Sequence, residues 1–253
     1  MSDTKQPVCF LESNPQLTLL RRGAAEYTGT LLLVLVLISA KLNGPYSTSM
    51  NPGPGVMIGA VGSGSALAGL IFGLGAISGG HFNPLISILQ WMSGQRSGRC
   101  AMVYTAAQLA GGVCGAMLAN AAFGARHQPG GAQDHGHGWF IAELLSSAGL
   151  MIVVFGCMKS GRREFGTLGV AAWLTGSIIG LPTALANPAL ALGMHFALSA
   201  GSLSWTSLTL VLSMEGAGML LAAMALALVF PKELSASCVV RVPNSENHVP
   251  ARS

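Results

Sequence analysis

The chain has 253 residues, of which 51% are hydrophobic and only 9% charged, with 34 glycines and a mean hydropathy of +0.57. Those proportions exclude an ordinary soluble domain, where about a quarter of residues are charged, and point to a protein embedded in lipid. The formal net charge of +4 is sorted by membrane side, so nucleic-acid binding is not needed to explain it.

Residues 1–19 are too polar for the apolar core of a signal peptide, so no cleaved leader is expected and the first span inserts as its own signal. Six long apolar stretches follow: Ala24–Leu42, Val56–Ile77, Ala101–Phe123, Trp139–Met158, Thr167–Leu181 and Trp205–Phe230. Most approach the roughly 20 residues that cross about 30 Å of hydrocarbon, and the fifth is short. Six spans put both termini on one side. Eleven basic residues fall there (Lys5, Arg21, Arg22, Arg96, Arg99, Lys159, Arg162, Arg163, Lys232, Arg241 and Arg252), against Lys41 and Arg126 on the other. That bias predicts cytoplasmic termini. The tail 232–253 is polar, and both tails are expected to be poorly ordered.

Between the second and third spans lies SGGHFNPLISILQWM (78–92), and between the fifth and sixth LPTALANPALALG (181–193). Proline cannot continue a helix already begun but suits its first turn, so each Asn-Pro reads as a helix start. The apolar run after each is too short to cross. One such motif alone reads as a turn; two at matching places in a repeat read as re-entrant half-helices.

The halves match in order. AEYTGTLLLVLV (25–36) resembles AELLSSAGLMIVV (142–154), GHFNPL (80–85) corresponds to LANPAL (185–190), and AAQLAGGVCGAMLANAAF (106–123) pairs with LSMEGAGMLLAAMALALVF (212–230). The offsets are 117 for Glu26 to Glu143, 104 for Asn83 to Asn187 and 107 for Gln108 to Glu215. Three spans per half is an odd number, so the second copy enters from the opposite face as an inverted repeat. The predicted organisation is repeat 1 at 20–124, a polar Gly-rich linker at 125–138 and repeat 2 at 139–231.

The predicted fold is therefore an all-α membrane protein with six transmembrane helices and two half-helices whose N-termini meet near the midplane. Each presents unbonded N–H groups and roughly half a positive charge, a barrier to cations. Asn83 and Asn187 stand at the cap positions, where the side-chain oxygen accepts a backbone N–H and the amide NH₂ can face a lumen.

SGGHFNPL, ANPAL, Glu26 and Glu143 opening the repeats, and Gln108 in AAQLAGG together resemble the aquaporins, the major intrinsic protein family, over roughly residues 20–231. The resemblance implies a homotetramer in the bilayer, each protomer with its own pore for water or small uncharged solutes, without a cofactor. It implies that Asn83, Pro84, Leu85, Asn187, Pro188 and Ala189 form the pore motifs and that Glu26 and Glu143 hold the re-entrant loops, with His81 packed at the vestibule. Its filter positions fall on Ser63, Thr175 or Gly176, Ala184 and Leu190.

Two departures stand out. Leu85 replaces the usual alanine of the first motif and is expected to narrow or grease the lumen edge. Leu190 replaces the arginine that usually follows the second motif, so the filter is expected to be neutral, wider and less polar. Some bacterial relatives with an aliphatic residue there are associated with metalloid transport, and the resemblance to them implies a bacterial inner membrane and solutes such as polyols or arsenous acid.

Three intramembrane carboxylates remain to be weighed, since charge there costs at least about 2.5 kcal/mol. Glu26 and Glu143 read as loop ties; Glu215, opposite Gln108 in the repeat, is left open between a loop partner and a protonated acid. A proton-coupled transporter using Glu143 and Glu215, or a non-conducting scaffold, are the rival functions. His195 reads as a helix-face residue, Asp134, His135 and His137 as solvated linker polarity rather than a metal site, and Cys9, Cys100, Cys114, Cys157 and Cys238 show no pairing or ligand spacing. The spacings Gly69–Gly73, Gly111–Gly115 and Gly176–Gly180 read as close helix crossings. No nucleophile–base pair, phosphate loop or metal cluster is present in the sequence, so no enzyme is expected.

Overall fold

The computed structural model describes residues 17–42, 53–124, 136–198 and 202–230. Most of the two tails with Cys9 and Cys238, and the linker segment with Arg126, Asp134 and His135, lie outside the described residues.

The elements are α1 (Leu19–Leu42), α2 (Gly53–Ser78), α3 (Pro84–Met92), α4 (Gly98–Ala122), α5 (His137–Lys159), α6 (Gly166–Gly180), α7 (Pro188–Phe196) and α8 (Trp205–Val229). Among the described residues, five helices are long and apolar enough to span: α1, α2, α4, α5 and α8. The expected fifth span, α6, has 15 residues, led by a 3-10 turn at Arg163–Phe165. At about 1.5 and 2.0 Å per residue, turn and helix together reach roughly 28 Å, enough to count α6 with the spanning helices.

Lipid, not water, explains the outer surface. Ile58, Phe72, Leu145, Leu168, Leu220 and Met224 are exposed around the bundle, a belt that a soluble protein would have to cover. The helix pairs repeat: α1 packs on α4 as α5 packs on α8, α2 crosses to α6, and each half-helix reaches the other half, α3 against α8 and α7 against α4.

Small residues permit those approaches. A Cβ at Gly111 would collide with the Tyr27 carbonyl and one at Gly115 with the Leu31 carbonyl, so the 111–115 pair does bring α4 onto α1. The other two spacings differ from expectation. At Gly69, Gly73, Gly176 and Gly180 an added Cβ meets nothing within 4 Å, so within the protomer they mediate no crossing.

Candidate functional site

The stretches before the half-helices run as bare backbone inside the bundle, where lipid offers no hydrogen-bond partners. A carboxylate from each half supplies them. Fully buried Glu26 on α1 accepts from the His81 amide (3.0 Å), the Phe82 amide (2.7 Å), Ser78 Oγ (2.6 Å) and Gln108 Nε2 (2.7 Å). Fully buried Glu143 on α5 accepts from the Leu185 amide (2.9 Å), the Ala186 amide (3.0 Å) and Thr183 Oγ1 (2.6 Å). The residues held correspond at the same offset of 104 as the two asparagines. Each tie also fixes a strained residue: Phe82 and Ala186 both have φ of 46°, a left-handed conformation that costs a side-chain-bearing residue about 1–3 kcal/mol.

That left-handed residue turns the chain into the helix cap. Asn83 Oδ1 accepts from the Leu85 amide (2.9 Å) and Asn187 Oδ1 from the Ala189 amide (3.0 Å), each with a proline in the first helical turn. The side-chain amides then cross between halves: Asn83 Nδ2 donates to the Ala186 carbonyl at 2.8 Å and Asn187 Nδ2 to the Phe82 carbonyl at 2.9 Å. The two half-helices therefore meet at their N-terminal ends, and one proton of each NH₂ remains for another acceptor.

A cavity lies beside this junction and is lined by Asn83 and Asn187. Its walls are apolar and repeat with the fold: Leu33 and Leu37 on α1 match Leu150 and Val154 on α5, while Leu67 and Ile71 on α2 face Val170 and Leu174 on α6. His81 also lines it; its Nδ1 lies 2.9 Å from Ser87 Oγ and its ring packs edge-on against Tyr104 at 5.3 Å. Polar side chains lie away from the asparagines at one end, where α5 gives way to α6: Arg163 and Thr167.

The filter candidates divide. Leu190, 2% exposed, lines the cavity, so the position vacated by arginine is an apolar wall. Ser63 is buried on α2, outside the residues that line this cavity, with its hydroxyl bonded back to the Gly59 carbonyl at 2.7 Å. Ala184 is buried in the second lead-in. The two candidates on α6 need correction. Thr175 Oγ1 turns to the Ala60 carbonyl of α2 at 3.3 Å and abuts Gly64, and Gly176 is exposed on the outer surface. The cavity side of α6 carries Thr167, Val170 and Leu174 instead, and the next buried position is Ser177. Leu85 is a second correction: it is buried in the core and does not line the cavity. Pro84 and Ala189 are likewise buried at the half-helix starts, and Pro188 opens α7.

Glu215 takes a loop partner. It accepts from the Asn187 amide at 2.7 Å, while among the described residues its Oε2, also buried, has none. His195 lies at the far end of α7, bonded through Nδ1 to the Leu203 carbonyl (2.8 Å) and packed on Trp205. Among the described residues no group of His, Cys, Asp and Glu could hold a metal, and Cys100, Cys114 and Cys157 are free thiols. Sequence reasoning missed Ser78, Thr183, Thr167 and Leu174. The first two could have been found as hydroxyls placed three or four residues before each left-handed turn, where a carboxylate needs donors.

Residues 13–230 match the family model described as Major intrinsic protein. Over 190 residues the chain is 29% identical to an aquaglyceroporin of Rhizobium meliloti (strain 1021), covering 70% of this chain and 76% of that one. It is 35% identical over 155 residues to a protein of Oryza sativa subsp. japonica named as a probable aquaporin, covering 58% of this chain and only 55% of that relative's length. The solved aquaglyceroporin of Plasmodium falciparum superposes with a TM-score of 0.70 at 18% identity, over 87% of this chain and 100% of that one, which establishes the shared fold. With both asparagine-capped half-helices inside the matched span, the chain belongs to the major intrinsic protein family.

Proposed function

We propose that the protein is a passive membrane channel for water and small uncharged solutes, polyols and metalloid hydroxides such as arsenous acid among them, and that it excludes ions and protons. The observation that carries this reading is the crossed pair of asparagine amides at the wall of a largely apolar cavity. A solute oxygen at the junction accepts from the remaining N–H of Asn83 and of Asn187, while the positive ends of α3 and α7 repel cations. The names of the relatives, aquaporin and aquaglyceroporin, support the same class of solute.

Leu190 sets the preference in this reading. With Ser63 and Ala184 it gives a filter without charge, and Leu174 takes the place on α6 assigned from sequence to Thr175 or Gly176. Water passing Leu190 forgoes hydrogen bonds at roughly 1–3 kcal/mol per unmet group, whereas a solute with carbon or a large central atom turns that side to the leucine. A proton-coupled carrier is not favoured, because Glu143 already accepts three hydrogen bonds and Glu215 holds the Asn187 amide.

The channel unit is residues 20–231, working as a homotetramer in a bacterial inner membrane with both termini in the cytoplasm, a topology that the charge bias supports. The test is light scattering of proteoliposomes with water, glycerol, urea and arsenous acid, wild type against Leu190→Arg. The variant is expected to slow the larger solutes more than water. Equal effects on all four solutes would remove Leu190 from the constriction.

A further inference from the structure

Glu215 stands in the second half where Gln108 stands in the first, and the packing around the two positions is alike. An added Cβ at Gly111, three residues after Gln108, strikes the carbonyl of Tyr27, the residue after Glu26; at Gly218, three after Glu215, it strikes the carbonyl of Leu144, the residue after Glu143. The hydrogen bonds of the two halves then correspond, with one gap. Oε1 of Glu26 and of Glu143 each accept a hydroxyl and an amide, while Oε2 accepts the Phe82 amide in the first half and the Ala186 amide in the second. Glu26 Oε2 accepts a further bond from Gln108 Nε2 at 2.7 Å, whereas among the described residues Glu143 Oε2 accepts only from Ala186. Glu215 Oε1 holds the Asn187 amide at 2.7 Å, and its Oε2, the counterpart of Gln108 Nε2, is buried and accepts from none of the described residues.

Two bare carboxylate oxygens side by side in lipid repel, but an oxygen that bears a proton is a donor, as an amide nitrogen is. We propose that Glu215 is a neutral carboxylic acid whose Oε2–H donates to Glu143 Oε2, a proton site that completes the tie of the second re-entrant loop. No cation stands in for that proton among the described residues. Of the helices packed on α8, α3 brings no titratable side chain, α7 only His195 at its far end, and α5, besides Glu143, only His137, Cys157 and Lys159 toward its ends. The acid and its partner hold three consecutive amides, those of Leu185, Ala186 and Asn187, with one negative charge between them. Glu26 and Gln108 place the same charge behind Asn83, so the positive end of α7 is opposed no more than that of α3. Glu215 thereby acts as a positioning residue for Asn187. The proton belongs to the tie and is not carried across, and the inference does not depend on the channel reading.

The test is infrared spectroscopy of the protein in phosphatidylcholine bilayers at neutral pH, for wild type, Glu215→Gln and Gln108→Glu. The wild-type spectrum minus that of Glu215→Gln is expected to show the carbonyl stretch of a protonated carboxyl group. A difference spectrum without that band makes Glu215 a carboxylate and overturns the proposal. Gln108→Glu recreates the acid pair in the first half and is expected to raise the band about twofold; an unchanged band overturns the equivalence that places the proton. Hydrogen exchange at the Asn187 amide is the second readout. It is expected to stay within about threefold of wild type in Glu215→Gln, where an N–H replaces the O–H, and to quicken about tenfold in Glu215→Leu, which has neither donor nor acceptor. Equal acceleration in both variants contradicts the donor, and none in Glu215→Leu contradicts the hold on Asn187. Should Glu215→Leu not fold, the spectra of wild type and Glu215→Gln still decide.

Discussion

Asn83 and Asn187 are joined through each other's neighbours: the amide of each donates to the carbonyl of the residue preceding the other, at 2.8 and 2.9 Å. Two chain segments about a hundred residues apart thus share one junction. Asn83→Asp and Asn187→Asp keep the cap oxygen but remove the crossing donor. Each is expected to destabilise the protein by about 1–3 kcal/mol, read as a lowered midpoint in thermal unfolding. The double variant is expected to lose less than the sum, since breaking one bond loosens the other. Strict additivity would mean the two bonds are independent.

The carboxylates beneath the junction are not equivalent. Glu26 accepts four hydrogen bonds, two from backbone amides; Glu143 accepts three and shares its half with Glu215, which holds the Asn187 amide. Glu26→Gln leaves one acceptor oxygen for those donors, and bonds to a charged group contribute about 1.5–3 kcal/mol each. The variant is expected to be cleaved faster by protease within 78–84. Glu215→Gln retains an acceptor for Asn187 and is expected to unfold at or above the wild-type temperature.

Close packing separates two kinds of glycine. A Cβ at Gly112 would strike the Ala189 carbonyl of α7, whereas one at Gly69 meets nothing within 4 Å. Gly112→Ala is expected to displace α7 and cost about 1–3 kcal/mol, as overpacking does. Gly69→Ala is expected to be neutral or to stabilise its helix by up to about 1 kcal/mol. Thermal unfolding of the two variants checks both.

The family, the half-helices and the carboxylate ties were legible in sequence because each rests on a residue type with few alternatives. Proline after asparagine marks a helix start, and a glutamate in a span needs donors. The filter side of α6 was not legible. The resemblance leaves Thr175 and Gly176 as alternatives one residue apart, and a shift of one residue on a helix turns a side chain by about 100°. The structure turns the Thr175 hydroxyl to the Ala60 carbonyl of α2 and leaves Gly176 exposed. Leu85 failed for a related reason: adjacency to Asn83 does not fix which face of α3 a residue occupies, and its face is the core.

Cysteine accessibility tests the corrected face. In a background lacking all five native cysteines, Leu174→Cys is expected to lose most of its flux on exposure to a charged, water-soluble thiol reagent, and Gly176→Cys to keep it. The opposite pattern would return the filter to the position read from the sequence.

The central claim, passive conduction past the two asparagines, is tested most directly by stopped-flow glycerol uptake into proteoliposomes with and without a proton gradient. Uptake well above that of protein-free vesicles and unchanged by an uncoupler is the expected result. Uptake equal to that of protein-free vesicles, or abolished by the uncoupler, would contradict it.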